Sequence, residues 1–164
     1  MFERYEAKTI IVKDGDKVTV TDPCYDKECK GGLNVKLPAG EYACFYDEQD
    51  EGCWGKRIAR AAIVRKDKSA YIDVLDTKWK GTVGVDAGLC GFFVNKPDYD
   101  DDAWDKFCDD LEEIDKGGCK NVYHTAEGFF TSSGYGDGTY TVRILMDGEE
   151  KVGLMVTFIE EDDY

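Results

Sequence analysis

Cations, prolines and histidine are the scarce ingredients of this 164-residue chain. Lysine and arginine total 21 against 35 aspartates and glutamates, a net charge of −14. Phosphate contacts need clustered cations, so this balance argues against a nucleic-acid backbone as the main partner. Nowhere do 18 apolar residues run together, which excludes a membrane-spanning helix and gives no reason to expect a membrane partner. The opening stretch MFERYEAKTIIVK is charged from its third residue and has no apolar run, so no export signal is expected. Seven cysteines form an odd set with irregular spacing and no CxxC pair. They are read as reduced thiols of a cytoplasmic protein, and neither a disulfide framework nor a structural zinc site is expected. A single histidine, His124, means that any Cys–His or Ser–His pair must use it.

An apolar fraction of 42% with 13% aromatics supplies a core, and the length suits one domain over residues 1–164. Most of the chain reads as short strands between turn residues. The β-rich run in Ala7–Lys13 is followed by the turn Asp14-Gly15-Asp16 and by the alternating Lys17–Thr21. Asn34–Leu37 and Glu41–Tyr46 flank Pro38-Ala39-Gly40, which reads as a hairpin connection. Arg57–Arg65, Tyr71–Leu75, Thr82–Asp86 and Cys90–Val94 continue the strand pattern. Thr139–Met146 and Lys151–Ile159 straddle Asp147-Gly148, a strong hairpin signal. One segment differs. Over 98–116, Trp104, Phe107, Cys108, Leu111 and Ile114 recur at spacings of three and four, predicting an amphipathic helix. Aspartates 100–102 suit its N-terminus and Gly117-Gly118 its end, and the stretch carries ten acids against two lysines. The expected fold is α+β: a single β-rich domain of antiparallel sheets, sandwich- or barrel-like, with this one acidic helix.

Three turn segments are too particular to be generic loops. They are Thr21-Asp22-Pro23-Cys24-Tyr25, the stretch GVDAGLCGFF over 84–93, and FFTSSGYGDGTY over 129–140. Each sets an aspartate beside a strand end near glycine or proline, where a backbone or ligand can approach closely. Together VDAG and SGYGDGTY, followed by a hairpin ending in MVTFI, resemble the bacterial and phage family called domain of unknown function 4241. The resemblance covers the C-terminal half well, and TDPCY with LPAGEY matches its N-terminal part. It implies a β-rich fold and a setting of phage–host or toxin–immunity conflict, and it names no catalyst.

Asp22, Asp86 and Asp137 are oxygen ligands that would suit Mg or Ca, but aspartates in glycine-rich turns more commonly cap those turns. No cofactor is therefore expected. Cys90 or Ser133 with His124 would be the only route to nucleophilic catalysis, and no nucleophile elbow accompanies either. Tyr25, Phe92, Phe93, Tyr135 and Tyr140 could line a pocket that stacks a planar ligand, although Phe92 and Phe130 are better suited to the core. Arg57, Arg60 and Arg143 are the cations available for a ligand phosphate, but strand alternation does not put Arg57 and Arg60 on one face. The expectation is a non-catalytic protein that sequesters a small, nucleotide-derived ligand as an anti-defence factor. Its ligand-binding residues would be Asp22, Tyr25, Arg57, Asp86, Ser133, Tyr135, Asp137 and Tyr140. One alternative is an immunity or anti-defence protein that blocks a protein effector through its acidic surface. Another is a divalent-metal-dependent hydrolase using the three aspartates. A homo-oligomer that completes the pocket would suit so small a chain.

Overall fold

A computed structural model describes residues 2–25, 31–114, 121–126 and 128–161. Two six-stranded antiparallel sheets face each other. The first runs in the order β1 (Glu3–Val12), β4 (Gly40–Asp50), β5 (Lys56–Arg65), β12 (Glu150–Thr157), β11 (Gly138–Asp147) and β6 (Asp76–Val85). The second runs β3 (Leu33–Val35), β2 (Val18–Thr21), β7 (Leu89–Val94), β10 (Gly128–Ser132), β9 (Val122–His124) and β8 (Glu112–Glu113). Between them lies one core to which both contribute: Tyr42, Tyr46, Ile63 and Leu154 from the first sheet, Val18, Phe92, Val122 and Phe129 from the second. Burial on this scale is the dominant favourable term in folding. The β-rich α+β expectation, in its sandwich form, is what the chain adopts.

Each sheet is also covered on part of its outer face, which is why several strands are apolar at successive positions rather than alternating. On the first, Ile72 and Leu75 pack onto Ala62, Val64, Leu145 and Val152. Residues 71–75 are therefore not the expected strand. A 3₁₀ helix over Lys66–Tyr71 leads into turns that strap the sheet, held by Arg4–Asp73 and Lys68–Asp147 ion pairs. On the second sheet, helix α1 (Asp101–Asp109) sets Trp104 and Phe107 against Phe93 and Phe130. The helix ends earlier than its periodicity suggests. Beyond Asp110, Glu112 and Glu113 pair with His124 and Tyr123 as an edge strand, and Ile114 turns to the inter-sheet core. The expected end of that helix, 115–118, lies outside the described residues, as do Cys29 and Cys119.

Two connections behave differently from one another. Asp147 and Glu150 pair across Gly148 and Glu149, with Gly148 at φ +61°, so the predicted hairpin forms with glycine where a primed turn needs it. Pro38-Ala39-Gly40 makes no hairpin, because β3 and β4 belong to different sheets. That segment carries the chain across the sandwich.

Candidate functional site

The three singled-out loops meet at one end of the sandwich. Strand β2 ends at Thr21, and the next residue, Asp22, is fully buried. Its Oδ1 accepts the Cys24 N–H at 2.9 Å, while Oδ2 accepts the N–H groups of Asp86 at 2.8 Å and Ala87 at 2.6 Å. Three amide donors satisfy a carboxylate that would otherwise be costly to bury. Tyr25 makes a second tie between the same loops. Its ring occupies the space a Cβ at Gly31 would need, with Cε2 2.2 Å away, and its hydroxyl lies 3.5 Å from the Cβ position of Gly84. Glycine at 31 is what admits the ring.

The third loop joins through the sheets. Strand β10 pairs with β7, Ser132 opposite Leu89, and the Ser133 N–H donates to Gly88 O at 3.1 Å. Gly138 pairs with Val85, which brings the exposed Asp86 and Asp137 to the same strand ends. Residues 129–132 are strand, not turn; the loop proper is Ser133–Asp137. Ser133 is buried and its Oγ donates to Gly136 O at 2.7 Å, while the Gly136 N–H returns to Ser133 O at 3.0 Å. The Tyr140 hydroxyl reaches Gly136 O at 2.6 Å and Ser133 O at 3.1 Å. Burial raises the Tyr140 pKa, keeping the proton that this bond uses. Asp22, Ser133 and Tyr140 therefore build the loops, and their polar atoms face protein.

What the loops leave open is a polar depression of about 210 Å³, lined by Lys56, Arg57, Asn121, Ser132, Ser133 and Tyr135 together with loop glycines. The Arg57 Nε donates to Trp54 O at 3.2 Å, and its guanidinium lies 5.0 Å from the centre of the Tyr135 ring. Tyr135 is 56% exposed. Lys56 holds Glu3 only at 3.9 Å. Trp54, 67% exposed, belongs to the 3₁₀ turn Gly52–Trp54 that joins β4 to β5. Of the residues expected from sequence, Arg57, Ser133 and Tyr135 line this depression; Lys56 and Asn121 were missed, as was Trp54 beside it, whose carbonyl holds Arg57. The available signal was GCWGKR, a tryptophan between glycines followed by two cations in an acidic chain.

Other expected participants lie elsewhere. Arg60 is on the outer face of the first sheet, where it and Arg4 both clamp the buried Asp47 carboxylate at 2.7–2.8 Å. Arg143 is an exposed residue of that sheet opposite Trp79, away from the loops. Phe93 is fully buried beneath α1, packed against Phe107 and Phe130. Cys90 is sealed in the inter-sheet core, where burial pushes its thiol pKa up, and His124 Nδ1 faces Glu112 at 3.4 Å. Neither Cys90 nor Ser133 is thus an activated nucleophile beside the histidine. Among the described residues no group of three or more His, Cys, Asp or Glu side chains is placed to hold a metal ion, and Asp22 spends its oxygens on amides. Also among the described residues, no helix is long and apolar enough to cross a membrane. What the depression offers chemically is two cations, an amide and an exposed aromatic ring. Set against known protein families, curated proteins and solved structures, the chain finds no match.

Proposed function

We propose that this protein is a non-catalytic binder of a small anionic ligand bearing a planar group, of the nucleotide-derived kind, captured at the end of the sandwich where the three loops meet. The observation that carries this is the Arg57–Tyr135 stack at the rim of a polar depression, with Lys56 and Asn121 beside it, on a chain of net charge −14. Cations held together against that overall charge suit an anion, and an exposed ring beside them suits a base or similar plane. The volume accommodates a phosphoryl-sized group with the planar part lying over Tyr135. Capture of a nucleotide signal inside the cell would act as anti-defence in phage–host conflict, the setting that the resemblance of VDAG and SGYGDGTY to domain of unknown function 4241 would imply. Titration calorimetry with nucleoside monophosphates and the matching nucleosides tests this. Binding should require the phosphate, disappear in Lys56→Glu/Arg57→Glu, and weaken about tenfold in Tyr135→Ala. Equal binding by the charge-reversed variant overturns it.

A second arrangement favours a protein partner. Asp101, Asp102, Asp105, Asp109 and Asp110 are exposed on or just beyond α1, and none forms an ion pair among the described residues. An open acidic face of this kind docks basic effectors. Reversing Asp101, Asp102 and Asp105 to lysine would abolish such docking and leave nucleotide capture intact.

A further inference from the structure

Strand β6 closes one side of the first sheet, pairing with β11 on its inner side. Its second half is covered on the other: the Gly84 N–H donates to Gly31 O at 2.9 Å, and Leu33 lies over Gly81. Its first half, Asp76–Lys80, is exposed at all five positions. An open edge presents unpaired N–H and C=O groups in a row, a template for another strand. The side chains along this stretch are Asp76 and Thr77 at its start, then Lys78, Trp79 and Lys80. Trp79 is 61% exposed and sits opposite Arg143, so both share the sheet's outer face. Lys78 sits opposite Ile144, on the other face. Among the described residues Lys78, Lys80 and Arg143 form no ion pair. On a chain with a deficit of 14 cations, three unpaired cations around one exposed tryptophan are a concentrated feature.

Lysines on an edge are a usual guard against self-association. Here they fit that role in part: antiparallel pairing with a second copy centred on Trp79 would set Lys78 against Lys80, and like charges directly opposite destabilise a pair. A guard does not need a tryptophan, however, and Trp with Arg is the chemistry of binding hot spots. A strand carrying carboxylates reverses the electrostatics. We infer that Asp76–Lys80 is a strand-addition site for an extended acidic segment of another protein. In this mode main-chain hydrogen bonds supply affinity and alternate side chains supply selectivity. Carboxylates of the incoming strand meet Lys78 and Lys80, while its apolar residues lie against Trp79 on the face shared with Arg143. The surface is separate from the loop depression and does not depend on the function proposed above.

The test uses the full chain and a dye-labelled heptapeptide of alternating glutamate and valine, read by fluorescence anisotropy. Saturable binding is expected, weaker by about tenfold or more for the same peptide with lysine in place of glutamate. Full N-methylation of the peptide backbone removes the donors of strand pairing and should abolish binding. Lys78→Glu/Lys80→Glu should invert the preference towards the lysine peptide, and Trp79→Ala should weaken binding several-fold. Circular dichroism melts confirm that these surface variants stay folded. No binding, or binding that survives N-methylation, overturns the proposal. So does a concentration-dependent dimer in sedimentation velocity that Trp79→Ala abolishes, because the edge would then belong to a second copy.

Discussion

Asp22, Asp86 and Asp137 look alike in sequence, each an aspartate at a strand end near glycine or proline. Their environments separate them. Asp22 is buried and takes three amide N–H groups, whereas Asp86 and Asp137 are exposed. That a turn aspartate caps its own loop was legible from Asp-Pro and the residues after it, and the Cys24 N–H bears this out. Its second oxygen reaches amides 64 and 65 residues further along, and no local pattern encodes a contact at that range. Removing the carboxylate strands those donors in a water-poor site. Asp22→Ala should therefore destabilise the protein by about 3 kcal/mol, lowering the melting temperature by roughly 10 °C. Asp22→Asn, which keeps one acceptor oxygen for the Asp86 and Ala87 amides but turns an NH2 donor onto the Cys24 N–H, should cost less than the alanine variant while still destabilising. Melts followed by circular dichroism check both. Arg57 and Arg60 make a similar contrast. A β-bulge between Asp47 and Glu48 leaves Arg60 opposite Asp47 and Ile58 opposite Glu48. Arg57 pairs with Gln49, two positions from Asp47, so the bulge brings the two arginines to one face of the strand, yet their partners differ: the loop depression for Arg57 and a buried carboxylate for Arg60.

At the scale of elements, α1 illustrates how a correct pattern can run past its own end. The spacing of Trp104 and Phe107 marks the buried face, and Phe107 stacks on Phe130 at 5.5 Å and on Trp104 at 5.3 Å. Asp100 acts as the N-cap, its Oδ1 accepting the Ala103 N–H at 2.8 Å. Cys108, expected on the same stripe, is exposed. The later apolar residues serve other partners, since backbone pairing with β9 outweighs continuation of a helix whose next residues are carboxylates. Urea denaturation should find Phe107→Ala destabilising by about 3–5 kcal/mol and Asp100→Ala by about 1 kcal/mol. If both changes were equally small, α1 would not be anchoring the outer face of the second sheet. The 66–75 strap has the converse history. Its Tyr71–Leu75 run reads as strand because Tyr, Ile and Val favour pleated surfaces, yet it pairs with none of the described strands and buries Ile72 as a plug instead.

Charge governs the behaviour of the whole molecule in acid. The Lys13 amide N–H and then the Asn95 side chain hold the Asp16 carboxyl below the usual range; Arg65 does so for Asp67, and Lys8 for Glu112. A carboxyl whose folded pKa is depressed stabilises the fold above its unfolded pKa, and that contribution is lost as pH falls through the folded value. The melting temperature should accordingly hold steady towards pH 5 and drop below about pH 4, where unfolded carboxylates begin to protonate. Asp16→Asn should flatten part of that fall. These groups are exposed, so each contributes modestly, and a melt series across acid pH reads their sum. The links span the molecule. Asp16 joins the first turn to Asn95 after β7, and Glu112 joins β8 to Lys8 on β1, tying the two sheets at their margins.

What the sequence determined by itself was the class of fold, most strand positions, the helix's buried face and the hairpin at Gly148. Each follows from local periodicity, turn chemistry or capping, which act within a few residues. Only the tertiary structure decided which strands share a sheet, that Pro38-Ala39-Gly40 crosses between sheets, and that DPCY, VDAG and GYGDG meet at one end. It also sent Arg57 to the depression and left Trp79 on an open edge. Those outcomes depend on pairing and burial between residues far apart in the chain. The same alternating strand can pair with any of several neighbours until the shared core selects one arrangement.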